Sequence, residues 1–244
     1  MICCIASKGR PDTRTYELFK TADIETYHFV EPQDFSHYKS QPNVIDIKFN
    51  DRGIAYVRNF ILDWARSENE QWIIMCDDDV SSFGFYDGKN HKVGAKIWHD
   101  ILQKTNGLPF EIIGINFRQH AWHEKTKISV NKTFADVCVL LNTKNLTWRF
   151  DETFEMKADR DFVMQTIKNG FGIIRFNKYF HESPDVGTNG GGLSENYENK
   201  SDTQWAIKLV EKWNPHAKLT KKSGRIDAKI DIKRFAKDNG KTVK

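Results

Sequence analysis

Trp72-Ile73-Ile74-Met75-Cys76, followed by Asp77-Asp78-Asp79, decides how the chain is to be read. An apolar, β-branched run without a turn signal predicts a buried central strand, and three carboxylates at its carboxyl end are delivered together to the lip of the sheet. Ligands of open α/β sheets bind at that lip. Carboxylates packed so closely repel one another and raise each other's pKa unless a divalent cation compensates them. Oxygen donors of this kind suit magnesium or manganese. An exposed acidic turn or a helix cap uses the same residue type, so the triplet alone leaves both readings open.

Upstream of this strand, residues 2–6 predict a first strand and Ser7-Lys8-Gly9-Arg10-Pro11 a loop that opens a helix over 13–21. Two further strands are expected at 27–30 and 44–47, punctuated by Glu31-Pro32 and Gln41-Pro42. After Gly53, Ile54, Val57, Ile61 and Trp64 recur at helical spacing, which puts Arg58 and Asn59 on adjoining faces. Downstream, a polar loop over 81–92, a helix over 95–103, and strands over 112–117 and 135–141 are expected. A helix over 159–168, ended by Gly170, and a strand over 171–180 that delivers His181 and Glu182 complete the series. Strand and helix alternate, so the fold class is α/β.

Composition bounds what such a fold can be. With 244 residues, 39% hydrophobic and 13% aromatic, the chain can bury one sizeable core. No apolar stretch approaches the roughly 20 residues of a membrane span, and the first residues lack the form of a signal peptide, so a cytoplasmic protein is expected. Cys3, Cys4, Cys76 and Cys138 lie on apolar segments without metal-ligand spacing, which predicts buried reduced thiols, no disulfide and no zinc. From Ala217 to Lys244, ten Lys or Arg face three Asp, although the whole chain carries only +4. A domain over 1–216 followed by a basic C-terminal segment over 217–244 is therefore expected. Such a segment suits a phosphate backbone, or simply a solvated end.

The ordered set of Ser7-Lys8-Gly9-Arg10-Pro11, Gly53-Ile54-Ala55-Tyr56-Val57-Arg58-Asn59, Asp77-Asp78-Asp79, Phe150-Asp151-Glu152-Thr153-Phe154 with Asp159-Arg160-Asp161, and His181 resembles GT-A-fold glycosyltransferases. The chain is also similar to the TET-associated glycosyltransferases, a smaller group found chiefly in phages. The resemblance spans residues 1–182 and implies a GT-A-like single domain, with a Rossmann-like mixed central sheet flanked by helices. It also implies a nucleotide-sugar donor, by default a UDP-sugar, and a Mn2+ or Mg2+ ion on its diphosphate.

By position in that resemblance, Asp79 and His181 are the metal ligands. Ser7, Arg10, Arg58, Asp77 and Asp78 meet the nucleotide. The cation stabilises the charge that develops on the leaving diphosphate. Asp159 matches the second member of the family's Glu-Asp pair, which supplies the base in inverting members. Ala158 stands where the first should be, and this leaves the base between Asp159 and Asp161, either of which would also serve as a helix cap.

TET-associated members act on the hydroxymethyl group of modified cytosine in phage DNA, which makes DNA the expected acceptor and the host cytoplasm the expected location. His120, Trp122 and His123 supply rings for stacking near an acceptor. The run Gly187-Thr188-Asn189-Gly190-Gly191-Gly192 predicts a loop able to close over bound donor. Other classes compatible with the residues are a transferase acting on a polysaccharide, lipid carrier or protein, and a non-catalytic DNA-binding protein. The last gives the aspartate triplet no task.

Overall fold

The computed structural model describes residues 1–243 other than 13, 136, 185–201 and 223. The glycine-rich run 187–192 lies outside the described residues. The strands of the main sheet are β1 (Ile2–Ser7), β2 (Thr26–Val30), β3 (Val44–Asp46), β4 (Trp72–Asp77), β5 (Ser82–Tyr86), β6 (Asn90–Lys92), β7 (Ile112–Phe117), β8 (Ile128–Val130), β9 (Cys138–Asn142) and β10 (Ile173–Glu182). The helices are α1 (Arg14–Lys20), α2 (Gly53–Ser67), α3 (Ile97–Thr105), the single turn α4 (Arg118–Ala121), α5 (Ala158–Lys168), α6 (Asp202–Lys212) and α7 (Ile232–Asp238). A separate hairpin, β11 (Ala217–Lys222) and β12 (Arg225–Ile230), lies between the last two helices.

The main sheet runs β3-β2-β1-β4-β9-β7-β10-β5-β6, with β8 also on β10. Strands β3, β2, β1 and β4 are mutually parallel, β9 is antiparallel to both β4 and β7, and β10 is parallel to β7. The reversed β9 thus leaves β1, β4, β7 and β10 pointing the same way. Their carboxyl ends, at Ser7, Asp77, Phe117 and Glu182, share one edge of the sheet.

Side chains alternate across each strand and divide the interior into two layers. Ile2 and Cys4 of β1, with Ile73 and Met75 of β4, pack with α2 and α5 on one face. Cys3, Ile5, Ile74 and Cys76 pack with Phe19 of α1 and Trp98 and Ile101 of α3 on the other. Each fully buried side chain of this size contributes about 2 kcal/mol of transfer free energy, and that sum fixes the strand register. The fold is therefore α/β, a mixed central sheet with helices on both faces. The basic C-terminal segment joins the first layer through Ala217, Ala228, Ile232, Phe235 and Ala236. All four cysteines are buried, and burial pushes their thiols above the ordinary range. Among the described residues, no helix is long and apolar enough to cross a membrane.

Two expectations need correction. Residues 81–92 are not a polar loop but the antiparallel hairpin β5–β6, which extends the sheet beyond β10. Its composition is polar, yet Gly84 is there for close packing. A Cβ at Gly84 would lie 2.1 Å from the His91 carbonyl oxygen and 2.6 Å from the Phe180 ring. In addition, His181 and Glu182 sit within β10 rather than beyond it, because β5 continues the ladder along both of them and β7 along His181.

Candidate active site

The lip of the sheet begins with the loop after β1. Ser7 Oγ donates to Asp78 Oδ2 at 2.7 Å and lies 2.6 Å from the Tyr38 hydroxyl. That hydroxyl accepts the Arg10 backbone N–H at 2.9 Å, while Arg10 Nη1 meets Asp78 Oδ1 at 2.5 Å and Asp79 Oδ2 at 3.7 Å. The loop is thereby strapped to the aspartate triplet. Asp78 is buried, and burial pushes its carboxyl upward against the opposing pull of Ser7 and Arg10.

Asp77 ends β4, and Asp78 and Asp79 form the turn that follows it. Asp77 Oδ1 accepts from Arg58 Nη2 at 3.2 Å. Burial raises the Asp77 carboxyl, Arg58 opposes the rise, and the charges of Asp79 and Asp159 add to it. The Asp77 N–H is received by the carbonyl of Val137, a β-branched residue held at φ 57°. A conformation so unfavourable for valine costs on the order of 1–3 kcal/mol and persists where surrounding contacts impose it.

Asn59, beside Arg58 on α2, explains why the Phe-Asp-Glu segment belongs to the same site. Its side chain accepts the Phe150 N–H at 2.8 Å, and donates to the Phe150 carbonyl and to Glu152 Oε1 at 2.9 Å each. One buried amide therefore holds the segment by backbone and side chain together. Arg58 rests over the Phe150 ring, 5.6 Å from its centre, and Phe150 stacks on Phe162 of α5 with centroids 3.9 Å apart. Together they line a pocket with Asp159 and the apolar side chains of Met75, Val137 and Val139.

The two α5 carboxylates have opposite surroundings. Asp161 is fully buried and accepts from Trp213 Nε1 at 2.8 Å, Gln165 Nε2 at 2.7 Å and Lys212 Nζ at 2.8 Å. Lys212 also bonds Asp151 at 2.7 Å, and this bond with those from Thr153 outweighs partial burial and holds the Asp151 carboxyl down at about 2. Asp161 is thus a tie between helices. Asp159 is half-buried, and among the described residues no hydrogen bond or ion pair engages it. Neither carboxylate caps the helix, whose N-cap is Lys157.

His181 stands near the carboxyl end of β10, three strands from β4 in the sheet. The Ser81 N–H donates to the Glu182 carbonyl at 2.8 Å, so this end of β10 runs beside the residues that follow Asp79. The His181 ring packs on Phe117 with centroids 4.4 Å apart, both of its nitrogens are buried without partners, and burial lowers its pKa to about 4. A neutral imidazole with an orphaned nitrogen fits a metal ligand. Among the described residues, no three His, Cys, Asp or Glu side chains are gathered as a metal cluster, so a cation here would take its remaining ligands from solvent or donor. The next residue, Glu182, bonds Lys92, Ser82 and Arg118, which together overcome burial and keep its carboxyl at about 2.

The model of the TET-associated glycosyltransferase family matches residues 1–192, and every residue of the site described so far except Lys212 and Trp213 falls within that stretch. The chain belongs to the TET-associated glycosyltransferases. It is accordingly an enzyme, a transferase of sugar groups. No curated protein matches this glycosyltransferase. Among solved structures it is similar to a CMP:2-keto-3-deoxy-manno-octonic acid synthetase complexed with CTP, with TM-score 0.48 and 11% identity over 86% of this chain and 98% of the other. It is also similar to A197 from STIV, with TM-score 0.47 and 10% identity over 75% and 84% of the two chains. A mannose-1-phosphate geranyltransferase from Thermus thermophilus follows, with TM-score 0.41 and 7% identity over 98% and 97%. Likenesses this distant carry no functional weight.

The geometry thus brings Ser7, Arg10, Asp78 and Asp79 into one cluster, and Arg58, Asp77 and Asp159 into a second that adjoins it through the triplet. It sets His181 in β10, three strands from β4 but beside the residues that follow Asp79, and turns Asp161 inward. Sequence reasoning missed Tyr38, the pivot of the Ser7–Arg10 loop, and Lys212, which bridges Asp151 and Asp161. Tyr38 carries no local signal, because its role depends on a contact 31 residues away in the chain.

Proposed function

We propose that this glycosyltransferase moves a sugar from a nucleoside diphosphate donor, by default a UDP-sugar, to a hydroxyl, and that the hydroxyl is the hydroxymethyl group of 5-hydroxymethylcytosine in DNA. The observation that carries the reading is the contrast on α5, where Asp159 stands unengaged in a pocket with Arg58 while Asp161 is fully occupied. A general base must be free to accept a proton, and Asp159 is the carboxylate that meets this need. In a GT-A-type direct displacement, Asp159 takes the proton of the acceptor hydroxyl as its oxygen bonds to the anomeric carbon and the bond to the diphosphate breaks. Arg10 and Arg58 already stand against the acidic triplet, and their guanidinium forks suit phosphate as well as carboxylate. Ser7, Asp77 and Asp78 complete the nucleotide side.

Asp79 and His181 would hold the Mn2+ or Mg2+ ion, which when bound neutralises charge on the leaving diphosphate. The raised carboxyls of Asp77 and Asp78 support a cation at the lip, since positive charge there would oppose the rise.

For DNA as acceptor, the support is the basic C-terminal segment. Each of its aspartates is engaged within the protein: Asp227 by Lys157 and Arg160, Asp231 by the N–H of Arg234, and Asp238 by His216. Lys218, Lys221, Lys229, Lys233 and Lys237 remain exposed. Lys218 stands directly opposite Lys229 across the hairpin, a like-charge pair that costs stability until a polyanion covers it. Trp122 is exposed beside His123, as a base-stacking platform requires.

The test is to incubate the protein with manganese, a panel of nucleotide sugars, and DNA containing either cytosine or 5-hydroxymethylcytosine, and to weigh the nucleosides after digestion. A sugar-sized gain confined to the modified base is expected. Donor hydrolysis with neither DNA altered would direct the search to a polysaccharide, lipid or protein acceptor.

A further inference from the structure

Asp159 is flanked by two cations that are both anchored from outside its helix. Lys157, immediately before α5, adopts a left-handed φ of 64°, which costs a residue with a side chain about 1 kcal/mol, and no side chain caps this helix start. Its Nζ donates to Asp227 Oδ1 at 2.9 Å. Arg160, on the other side of Asp159, donates from Nη1 to the same oxygen at 2.9 Å and to the Ala228 carbonyl at 3.1 Å. The side chains of Lys157, Asp227 and Arg160 are only 9%, 13% and 24% exposed, so this is no solvated surface pair. The bond from Lys157 and the charges of both cations outweigh burial and hold the Asp227 carboxyl at about 2.

Asp227 itself stands on firm ground. It lies in β12, whose neighbour Ala228 packs in the same core layer as Ala206 and Leu209 of α6 and Phe162 of α5. It also lies beyond residues 1–192, the stretch that matches the family. The anchor for the first turn of α5 is therefore supplied by a part of the chain outside the family's own domain.

We infer that Asp227 is a positioning residue for the acceptor base: from the C-terminal hairpin it grips the residues on both sides of Asp159 and neutralises the two cations that adjoin it. The inference rests on the reading of Asp159 as the base. Two consequences follow from the geometry. Without the grip, the left-handed Lys157 loses its bond to Asp227 and the first turn of α5 is held less firmly, which displaces the carboxylate from the acceptor. Without the negative charge, the neighbourhood of Asp159 becomes more positive, with Arg58 in the same pocket and Asp77 the acidic group that acts on it by charge. More positive surroundings favour the ionised carboxylate and make it a weaker base.

The test compares Asp227→Asn, Asp227→Glu and Asp159→Asn in the full chain, with transfer followed by kcat, donor KM and pH, and backbone amide exchange read at Arg160 and Asp161. Expected for Asp227→Asn is a kcat lowered by about 10- to 100-fold per folded molecule at unchanged donor KM. The acid limb of its pH profile moves to lower pH, and exchange at the two amides quickens. Asp227→Glu, which keeps the charge, restores part of the loss. Wild-type kcat and pH profile in Asp227→Asn, with Asp159→Asn inactive, would overturn the positioning role alone, as would a fall in melting temperature with kcat per folded molecule intact. Full activity in Asp159→Asn would instead remove the base on which the inference rests. Unchanged amide exchange in Asp227→Asn overturns the grip whatever the acceptor proves to be.

Discussion

At the end of β4, Asp77 and Asp78 are each met by an arginine, whereas on the first turn of α5 Asp161 is saturated by three donors and Asp159 by none among the described residues. The first region is a set of carboxylates kept together by arginines. The second separates two carboxylates only two residues apart into one whose oxygens are taken up by structural donors and one whose oxygens meet none among the described residues. Acidic residues in a cluster are thus distinguished by what already occupies their oxygens.

The comparison breaks first at Asp79. Asp79→Asn should abolish transfer while leaving the melting curve unchanged, and full activity in that variant would remove the metal from the donor side. The α5 pair offers the sharpest contrast. Asp159→Asn should lower kcat by roughly 10²- to 10⁴-fold with stability kept. Asp161→Asn should instead lose about 3 kcal/mol in urea unfolding, because Lys212 and Trp213 keep their donors and lose a charged acceptor, with kcat per folded molecule retained. If both variants fail by the same route, the distinction between the two carboxylates is gone. Asn59→Ala should cost about 2 kcal/mol by leaving the Phe150 N–H and carbonyl unpaired, and should weaken activity through the Phe150–Glu152 segment.

Acid sharpens the same contrast from the structural side. Asp151, Glu182 and Asp227 have folded-state values near 2, below those of an unfolded chain. A lowered carboxyl pKa stabilises the fold above the unfolded value near pH 4, and that contribution is lost as pH falls toward 2. Urea midpoints at pH 5, 3 and 2 should therefore decline stepwise, with Asp227 responsible for about 2 kcal/mol. The Asp227→Asn protein should show a shallower decline. The smallest expected effect is the joint change of Lys218, Lys221 and Lys229 to Ser, which should flatten the salt dependence of DNA binding by up to roughly one power of salt for each phosphate no longer neutralised. An unchanged slope would detach the hairpin from the nucleic acid.

The strand that ends in the aspartates, the helix after Gly53 and the α5 region were legible because each has a strong period and a clear stop. Gly170, at φ 87°, ends α5 as its position in the sequence implies. The hairpin of residues 82–92 was not legible, since its glycine answers to a neighbouring backbone and not to a turn. Within the site, the residue types were legible and their partners were not. Nothing local distinguishes Asp159 from Asp161, because the difference is made by Lys212 and Trp213, some fifty residues later. The same holds for Asn59, whose spacing marks a helix face while its task is to hold a segment 91 residues away.

The saturated Asp161 and the anchored flanks of Asp159 have a consequence for how the molecule comes into being. Ser7, Arg10, Arg58 and the aspartate triplet are all synthesised well before Lys212, Trp213 and Asp227, the residues that hold α5. A nascent chain that has not yet reached those residues carries the loop after β1 and the acidic triplet but lacks these ties on α5, so the two sides of the site are completed at separate times.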